Sequence, residues 1–562
     1  MSSYRPLIVL ALAFATACAS EPPKPLTIAE MPNIDSAAAL NDIKKLASDE
    51  YEGRSPDGGK GEQLTVQYLT DQFKAIGLEP GSPDGSWTQK VPLVSITGEA
   101  TGPLVVKKGA QTKQFKVKDE FVAFSRRVTE DVKVENSELV FVGYGVQAPN
   151  FSWDDFKGVD VKGKTIVVLV NDPQIPLASD PKELDPSVFG GKAMTYFGRW
   201  TYKYDKAAEL GAAGCIIVHE TAFAGYPFSV VQGFAGERFN LVTPDKNMGT
   251  PAIQSWMSIE ATKELFKMAG QDFDALKAKA QTRDFKPVPL GLTASFGMKQ
   301  TLKEVQSQNV IAKLPGSDPA LKNEYVVYSA HWDHFGFGDP DKTGDKIYNG
   351  AADNASGTAG IVAIARAMKT IKPAPKRSIL FLAVTGEEQG LLGSEYYAKF
   401  PLYPLDKTLA NINVDDNLPM WGRTSDIIVI GLGASDLDDY LRDAAGEQGR
   451  SLKPDAEPEK GFYYRSDHFN FAKVGVPALD TDDGLDYIGK PTDFGKKKKD
   501  EYTSTNYHQP SDQVDPNWEL SGYAEQAKLL MAIGYRIANA DKFPEWKPGN
   551  EFKSVRDKAF KK

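Results

Sequence analysis

The chain has 562 residues, of which 41% are hydrophobic and 25% are charged, as in ordinary globular proteins. This length exceeds what one hydrophobic core usually supports, so two domains are expected. The net charge of −9 argues against a nucleic-acid-binding protein, which needs a basic surface.

The first residues have the pattern of an export signal. Arg5 precedes an apolar run from Leu7 to Ala17, which is too short to span a bilayer as a helix. Small residues before Cys18 resemble a bacterial lipoprotein signal, in which the cysteine becomes the lipidated amino terminus; simple cleavage near Ala17 is the alternative. We therefore predict a signal peptide over residues 1–18, a linker over 19–33, and an exported protein of the periplasm or cell surface with a membrane tether through Cys18.

The pattern of apolar residues changes twice along the chain. Apolar side chains at three- and four-residue spacing predict helices over Ala37–Ala47 and Glu62–Ile76. From residue 93 to 295, short strands such as Ile166–Val170 are separated by turn residues, with one helix at Tyr202–Leu210. This middle part is therefore predicted to be a mixed, strand-rich module.

Beyond Val310, predicted strands and helices alternate. The strands are Tyr325–Tyr328, Ser378–Val384, Ile427–Ile430 and Val476–Leu479, and the helices are Thr358–Ile371, Gly390–Lys399, Leu437–Ala445 and Tyr523–Ile537. The alternation predicts an α/β fold with a mostly parallel sheet covered by helices on both faces. The basic run Lys496–Lys499 is expected in a solvated loop, and the tail from Lys542 is expected to be an extended wrap or a frayed end.

Acidic residues and histidines follow these strands or open a helix at five separated places. They are His331 with Asp333, Asp353, Glu387 with Glu388, Asp415, and His508. Chemistry in such sheets lies beyond the carboxyl ends of the strands, so these residues can meet at one rim. Histidine and carboxylate ligands suit zinc, and a shared carboxylate would allow two ions. The residue types alone do not say which carboxylate bridges.

These five motifs, in this order, resemble peptidase family M28, a family of zinc peptidases that includes bacterial aminopeptidases. The resemblance implies two zinc ions per chain, with His331 and Asp415 on one, Glu388 and His508 on the other, and Asp353 bridging them. It also implies that Glu387 is the general base and that Asp333 orients His331. Asp416 is the alternative acid beside Asp415, and His334 and His468 are expected to be structural or to support the ligands.

Residues 158–165 fit the pattern of a P-loop, but a predicted strand follows them where a phosphate-binding loop requires a helix. The segments 141–146, 155–164 and 206–214 resemble instead the protease-associated (PA) domain that is often inserted in this family. The implied organisation is a peptidase domain formed by residues 34–92 and 296–541, a PA-like insertion over 93–295, and a tail over 542–562. The aromatic-rich segments 196–204 and 225–229 are predicted to face the cleft, or else to pack within the module.

The resemblance implies hydrolysis of peptides from a chain end. An aminopeptidase is favoured because this activity is common among secreted bacterial members of the family, whereas no residue of the sequence points directly to recognition of a free amine. A carboxypeptidase or dipeptidase of the same fold is the alternative, and Arg423 and Arg465 are candidates for gripping a terminal carboxylate. A non-catalytic, receptor-like binding protein is the alternative from another class, and the full set of acids and histidines argues against it. Peptides are the expected partners, and no oligomeric state is predicted.

Overall fold

The computed structural model describes residues 26–232 and 236–560. The predicted signal peptide, with Cys18, lies outside the described residues. Within the described ranges, no helix is both long enough and apolar enough to cross a membrane.

Four parallel strands form the centre of the sheet in the second half of the chain. In spatial order they are Ser378–Val384, Tyr325–His331, Thr408–Asn413 and Ala478–Asp482. Antiparallel neighbours close both sides: the end of Val288–Leu314 on one, and Asp426–Ile430 with Ser451–Pro454 on the other. The predicted mostly parallel sheet is therefore confirmed.

Helices cover both faces of this sheet because its central strand is apolar on both sides. Val326 and Tyr328 pack into one core, with helices from both ends of the chain, whereas Tyr325 and Val327 pack into the core on the opposite face. The helices are Ser36–Leu46, Lys60–Ile76, Gly357–Met368, Leu392–Lys399, Leu437–Glu447, His468–Lys473, Phe494–Thr505, Ser521–Asn539 and Lys553–Phe560. The N-terminal helices therefore belong to the same layered structure as the second half of the chain.

The middle of the chain is rich in strands, as predicted. The longer strands are Thr88–Ala100, Leu104–Lys108, Gln111–Phe115, Phe121–Phe124, Asp131–Phe141, Thr165–Leu169, Gly214–His219, Glu237–Leu241, Ile253–Ser258 and Val288–Leu314. A strand follows residues 158–165, so the exclusion of a P-loop is confirmed. The Thr88–Ala100 and Val288–Leu314 strands pair antiparallel from Thr88–Val310 to Ala100–Met298. Both predicted limits of the insertion fall inside these two strands, and the division into domains stays a prediction.

Two local expectations are wrong, and one of the two alternatives for the tail is excluded. Besides Trp200–Glu209, the middle part contains helices Ile259–Ala269 and Phe273–Ala280, whose N-caps Ser258 and Asp272 were signals in the sequence. The run Lys496–Lys499 is helical, since ion pairs at four-residue spacing link Lys496 to Asp500 and Lys497 to Asp493. The tail is not frayed, because Trp546 and Phe552 are buried before the last helix.

Candidate metal centre

His331 is the last residue of a central strand, and its imidazole is buried. Its Nε2 lies 3.1 Å from Asp415 Oδ1 and 3.2 Å from Asp353 Oδ1. Asp415 follows the adjacent parallel strand Thr408–Asn413, so sheet register brings both residues to the same rim. Asp353 comes from the segment just before the Gly357–Met368 helix.

Asp353 also contacts the second histidine, from a distant part of the chain. Its Oδ2 lies 3.2 Å from His508 Nε2, and the same nitrogen lies 3.2 Å from Glu388 Oε2. The two oxygens of Asp353 are therefore divided between the His331 side and the His508 side of the site. This is the arrangement that a bridging carboxylate requires.

Glu387 and Glu388 follow the Ser378–Val384 strand and point to different parts of the site. Glu387 Oε2 lies 4.0 Å from His331 Nε2, whereas Glu388 contacts His508. The turn that carries them is held by Asp333, whose carboxylate accepts hydrogen bonds from the backbone N–H of Glu387 at 3.1 Å and of Glu388 at 3.4 Å.

Asp333 contacts His331 mainly through its backbone. The Nδ1 of His331 lies 3.2 Å from the carbonyl oxygen of Asp333 and 3.8 Å from its carboxylate. A backbone carbonyl at this position fixes the ring, as an outer hydrogen-bond partner does for a metal ligand. The carboxylate of Asp333 instead positions the Glu387–Glu388 turn.

The charges of the site are strongly coupled. Burial alone would lower the pKa values of His331 and His508, but the surrounding carboxylates raise the first well above its ordinary value and the second to about 10. Burial would raise the pKa values of Asp353 and Glu388, but the histidines lower the first well below its ordinary value and bring the second to about 2. Burial raises the pKa of Glu387 well above its ordinary value. The clustered carboxylates thus favour the presence of positive charge at this rim of the sheet.

The donor set fits zinc. Among the described residues, three groups have one ligand atom per residue within 4.8 Å of one another. They are His331 with Asp353 and Asp415, His331 with Glu387 and Glu388, and His334 with Asp353 and Glu388. Imidazole nitrogen and carboxylate oxygen are ligands that zinc accepts. Asp415, and not the adjacent Asp416, takes part in these groups.

Several residues at the site were not predicted to be ligands or catalytic groups. His334 Nδ1 lies 2.6 Å from Glu388 Oε1, Asp512 accepts from the backbone N–H of Ala352 and Asp353 at 3.1 Å, and Ser466 donates to Asp415 Oδ2. The buried Arg54 donates to the carbonyl oxygens of Asn349 at 2.6 Å and Gly350 at 2.8 Å. The His-x-Asp-His spacing was a signal for His334, whereas Arg54 had none. His468 is buried 3.5 Å from Asp480, outside the ligand groups.

The predicted site residues all converge: His331, Asp333, Asp353, Glu387, Glu388, Asp415 and His508 lie at one rim of the sheet. Fold and site together define the class, an α/β protein with a candidate two-cation centre beyond the ends of its parallel strands. Residues 309–531 match the model of "Peptidase family M28". These residues therefore form a domain of peptidase family M28, and the predicted family is confirmed for this part of the chain.

Curated relatives are matched over part of their length. "Aminopeptidase YwaD" of Bacillus subtilis (strain 168) is 28% identical over 246 residues, which are 42% of this chain and 46% of the relative. "Probable zinc metalloprotease" of Pyrenophora teres f. teres (strain 0-1) is 36% identical over 111 residues, 20% of this chain and 23% of the relative. The chain thus spans less than half the length of these relatives. A solved structure, "Aminopeptidase from Aneurinibacillus sp. strain AM-1", has a TM-score of 0.45 at 20% identity and covers 90% of this chain and 94% of its own.

Proposed function

We propose that this protein is a zinc exopeptidase that holds two ions and removes residues from the amino terminus of peptides. The observation that carries the proposal is Asp353, whose two oxygens each lie 3.2 Å from a histidine on opposite sides of the site. His331 and Asp415 would hold one zinc ion, and Glu388 and His508 the other. Membership of a zinc peptidase family supports the metal, and the names of the curated relatives support the aminopeptidase activity.

Glu387 is the proposed general base. Its carboxylate lies 4.0 Å from His331 Nε2, farther than the carboxylate of Asp353. The raised pKa of Glu387 suits a group that takes up a proton. When bound, zinc would lower the pKa of a water molecule and stabilise negative charge on the scissile carbonyl oxygen. Glu387 accepts the proton of the attacking water and then delivers it to the nitrogen of the leaving peptide. Asp333 keeps Glu387 in place by fixing the backbone of its turn.

The proposal includes two features that lie beyond the site. Residues 93–295 would act as an inserted PA-like domain beside the cleft, and Cys18 would carry a lipid after export. Mass spectrometry of the mature amino terminus tests the second: a diacylglyceryl adduct on Cys18 supports it, and an unmodified terminus near residue 18 contradicts it.

The decisive experiment compares free and blocked amino termini. Purified protein, with its zinc content measured, is given alanyl- and leucyl-aminomethylcoumarin, their N-acetyl forms, and N-blocked dipeptides. We expect hydrolysis of the free forms only, loss with a chelator, recovery with zinc, and about two zinc ions per chain. Hydrolysis of blocked dipeptides alone would assign a carboxypeptidase, and no activity with well under one zinc per chain would assign a binding protein.

A further inference from the structure

Two arginines meet where the middle part of the chain packs against the second half. Arg199, just before the Trp200–Glu209 helix, is 8% exposed. It packs against Gly461, where a Cβ atom would lie 3.5 Å from the Cδ of Arg199. Arg465, from the second half of the chain, extends toward Gly225 in the middle part. A Cβ atom at Gly225 would lie 3.9 Å from the Nη2 of Arg465. Each guanidinium thus crosses toward the other part of the molecule.

Neither arginine is directly paired with an acid, although the carboxylate of Asp455 acts electrostatically on Arg465. Among the described residues neither forms an ion pair, and the Nε of each is buried without a hydrogen-bond partner. The Nη2 of Arg465 donates to the carbonyl oxygen of Lys460 at 2.6 Å, and its guanidinium lies 5.1 Å from the centre of the Phe462 ring. Burying a cation without a directly paired counterion is costly, so an anion bound between these side chains would be stabilised.

The electrostatics agree with this geometry. Burial lowers the pKa of Arg199 to about 10, and the positive charge of Arg465 acts in the same direction. The groups with the opposite effect on Arg199 are the phenols of Tyr226 and Tyr464, which are neutral at physiological pH. The two like charges thus act on each other among aromatic rings, and an anion would relieve both the desolvation and the repulsion.

The pair lies beside the candidate metal centre. Arg465 is followed by Ser466, which donates to Asp415, and Arg465 interacts electrostatically with Tyr507, the residue before His508. Tyr507 stacks on His508 with ring centres 3.8 Å apart and is exposed to solvent. Through Ser466 and Tyr507, Arg465 thus adjoins residues that contact the candidate ligands Asp415 and His508.

We propose that Arg199 and Arg465 bind a carboxylate of the peptide substrate and so make the enzyme selective for short or acidic peptides. The proposal rests on the peptidase function proposed above and names the substrate class of that site. Guanidinium groups suit this ligand, since their planar N–H pairs match the two oxygens of a carboxylate. The carboxylate can be the carboxyl terminus of a dipeptide or an acidic side chain, and the two sources share this chemistry.

The test separates binding from hydrolysis. The zinc-loaded full chain with Glu387→Gln is titrated calorimetrically with Ala-Ala and Ala-Ala-amide, and with Ala-Glu-amide and Ala-Gln-amide. In one of the two pairs, we expect the acid to bind about tenfold or more tightly than its amide. The reason is that hydrogen bonds to a charged group are stronger than those to a neutral amide. The first pair reports a terminal carboxylate and the second an acidic side chain. Arg199→Gln and Arg465→Gln should each reduce the preference toward one, whereas Arg442→Gln, at an exposed ion pair with Asp439, should retain it.

Equal binding of acids and amides by the parent would overturn the proposal, as would a preference that both arginine variants retain. If Arg199→Gln does not fold, the proposal is tested by two measurements: the acid-to-amide affinity ratio of the parent and the same ratio in Arg465→Gln. Failure of the peptidase function shows separately, as an absence of chelator-sensitive hydrolysis by the chain with Glu387 intact. The binding ratio is measured without turnover and does not depend on that result.

Discussion

The carboxylate of Asp333 accepts a hydrogen bond from the backbone N–H of Glu387 at 3.1 Å. Asp333→Asn keeps the shape of the side chain but places an amide where two backbone N–H groups need acceptors. We expect kcat/KM to fall by about 10- to 100-fold, the usual effect of changing an outer partner of a metal site. The matched control is Asp339→Asn, at an exposed acid in the following loop. Kinetics within twofold of the parent would contradict the positioning role of Asp333.

Glu387→Gln should remove the proton acceptor and leave the metal ligands in place. We expect kcat to fall by about 10²- to 10⁴-fold, the range of general acid–base catalysis. Zinc per chain, measured by atomic absorption, should not change. Glu395→Gln is the control, since Glu395 forms an ion pair with Lys399 on the neighbouring helix. A variant that loses zinc together with activity would make Glu387 a ligand instead of the base.

Asp353→Asn should remove the bridge between the two sides of the site. An amide offers one oxygen, so the contacts to both His331 and His508 cannot be kept. We expect zinc content to fall from about two ions to one or fewer per chain, with loss of activity. Two ions retained in Asp353→Asn would show that the bridging group lies elsewhere.

Zinc binding should release protons from the metal-free protein. The carboxylates raise the pKa of His508 to about 10, so in the absence of metal this imidazole is protonated at pH 8. Zinc needs the neutral ring, and its affinity should therefore increase with pH between about 6 and 9. Calorimetry in Tris and HEPES buffers counts the released protons, and His508→Gln should release about one fewer. Zinc uptake without proton release would contradict the raised pKa.

Gly534→Ala tests the packing beneath the site. A Cβ at Gly534 would lie 2.0 Å from the hydroxyl of Tyr328, which donates to the carbonyl oxygen of Leu530 in the same helix. We expect the free energy of unfolding to fall by about 1–3 kcal/mol, the usual cost of overpacking a core. Gly446→Ala, at an exposed helical position with no atom within 4 Å, should raise it by about 0.5–1 kcal/mol. Urea unfolding measures both, and equal effects would contradict the clash.

Much of the fold could be predicted because strand and helix periods are local properties. The Ser378–Val384 strand has the predicted limits, and the Tyr325–His331 strand extends three residues beyond its predicted end. Helix Ser521–Asn539 is two residues longer at each end than predicted. The sequence did not decide between a wrapped and a frayed tail, because Trp546 and Phe552 are buried against partners distant in sequence, which a local pattern does not contain.

The sequence by itself determined the chemistry: the acids and histidines, their order and their places at strand ends identify the family and the candidate ligands. Only the tertiary structure decided which atoms meet, because distance between residues as remote as His331 and His508 depends on how the sheet and loops pack. That packing divides the oxygens of Asp353 between two histidines and turns the carboxylate of Asp333 toward Glu387. It also brings Arg199 close enough to Arg465 for their charges to interact, although the two residues are more than 260 positions apart in the sequence.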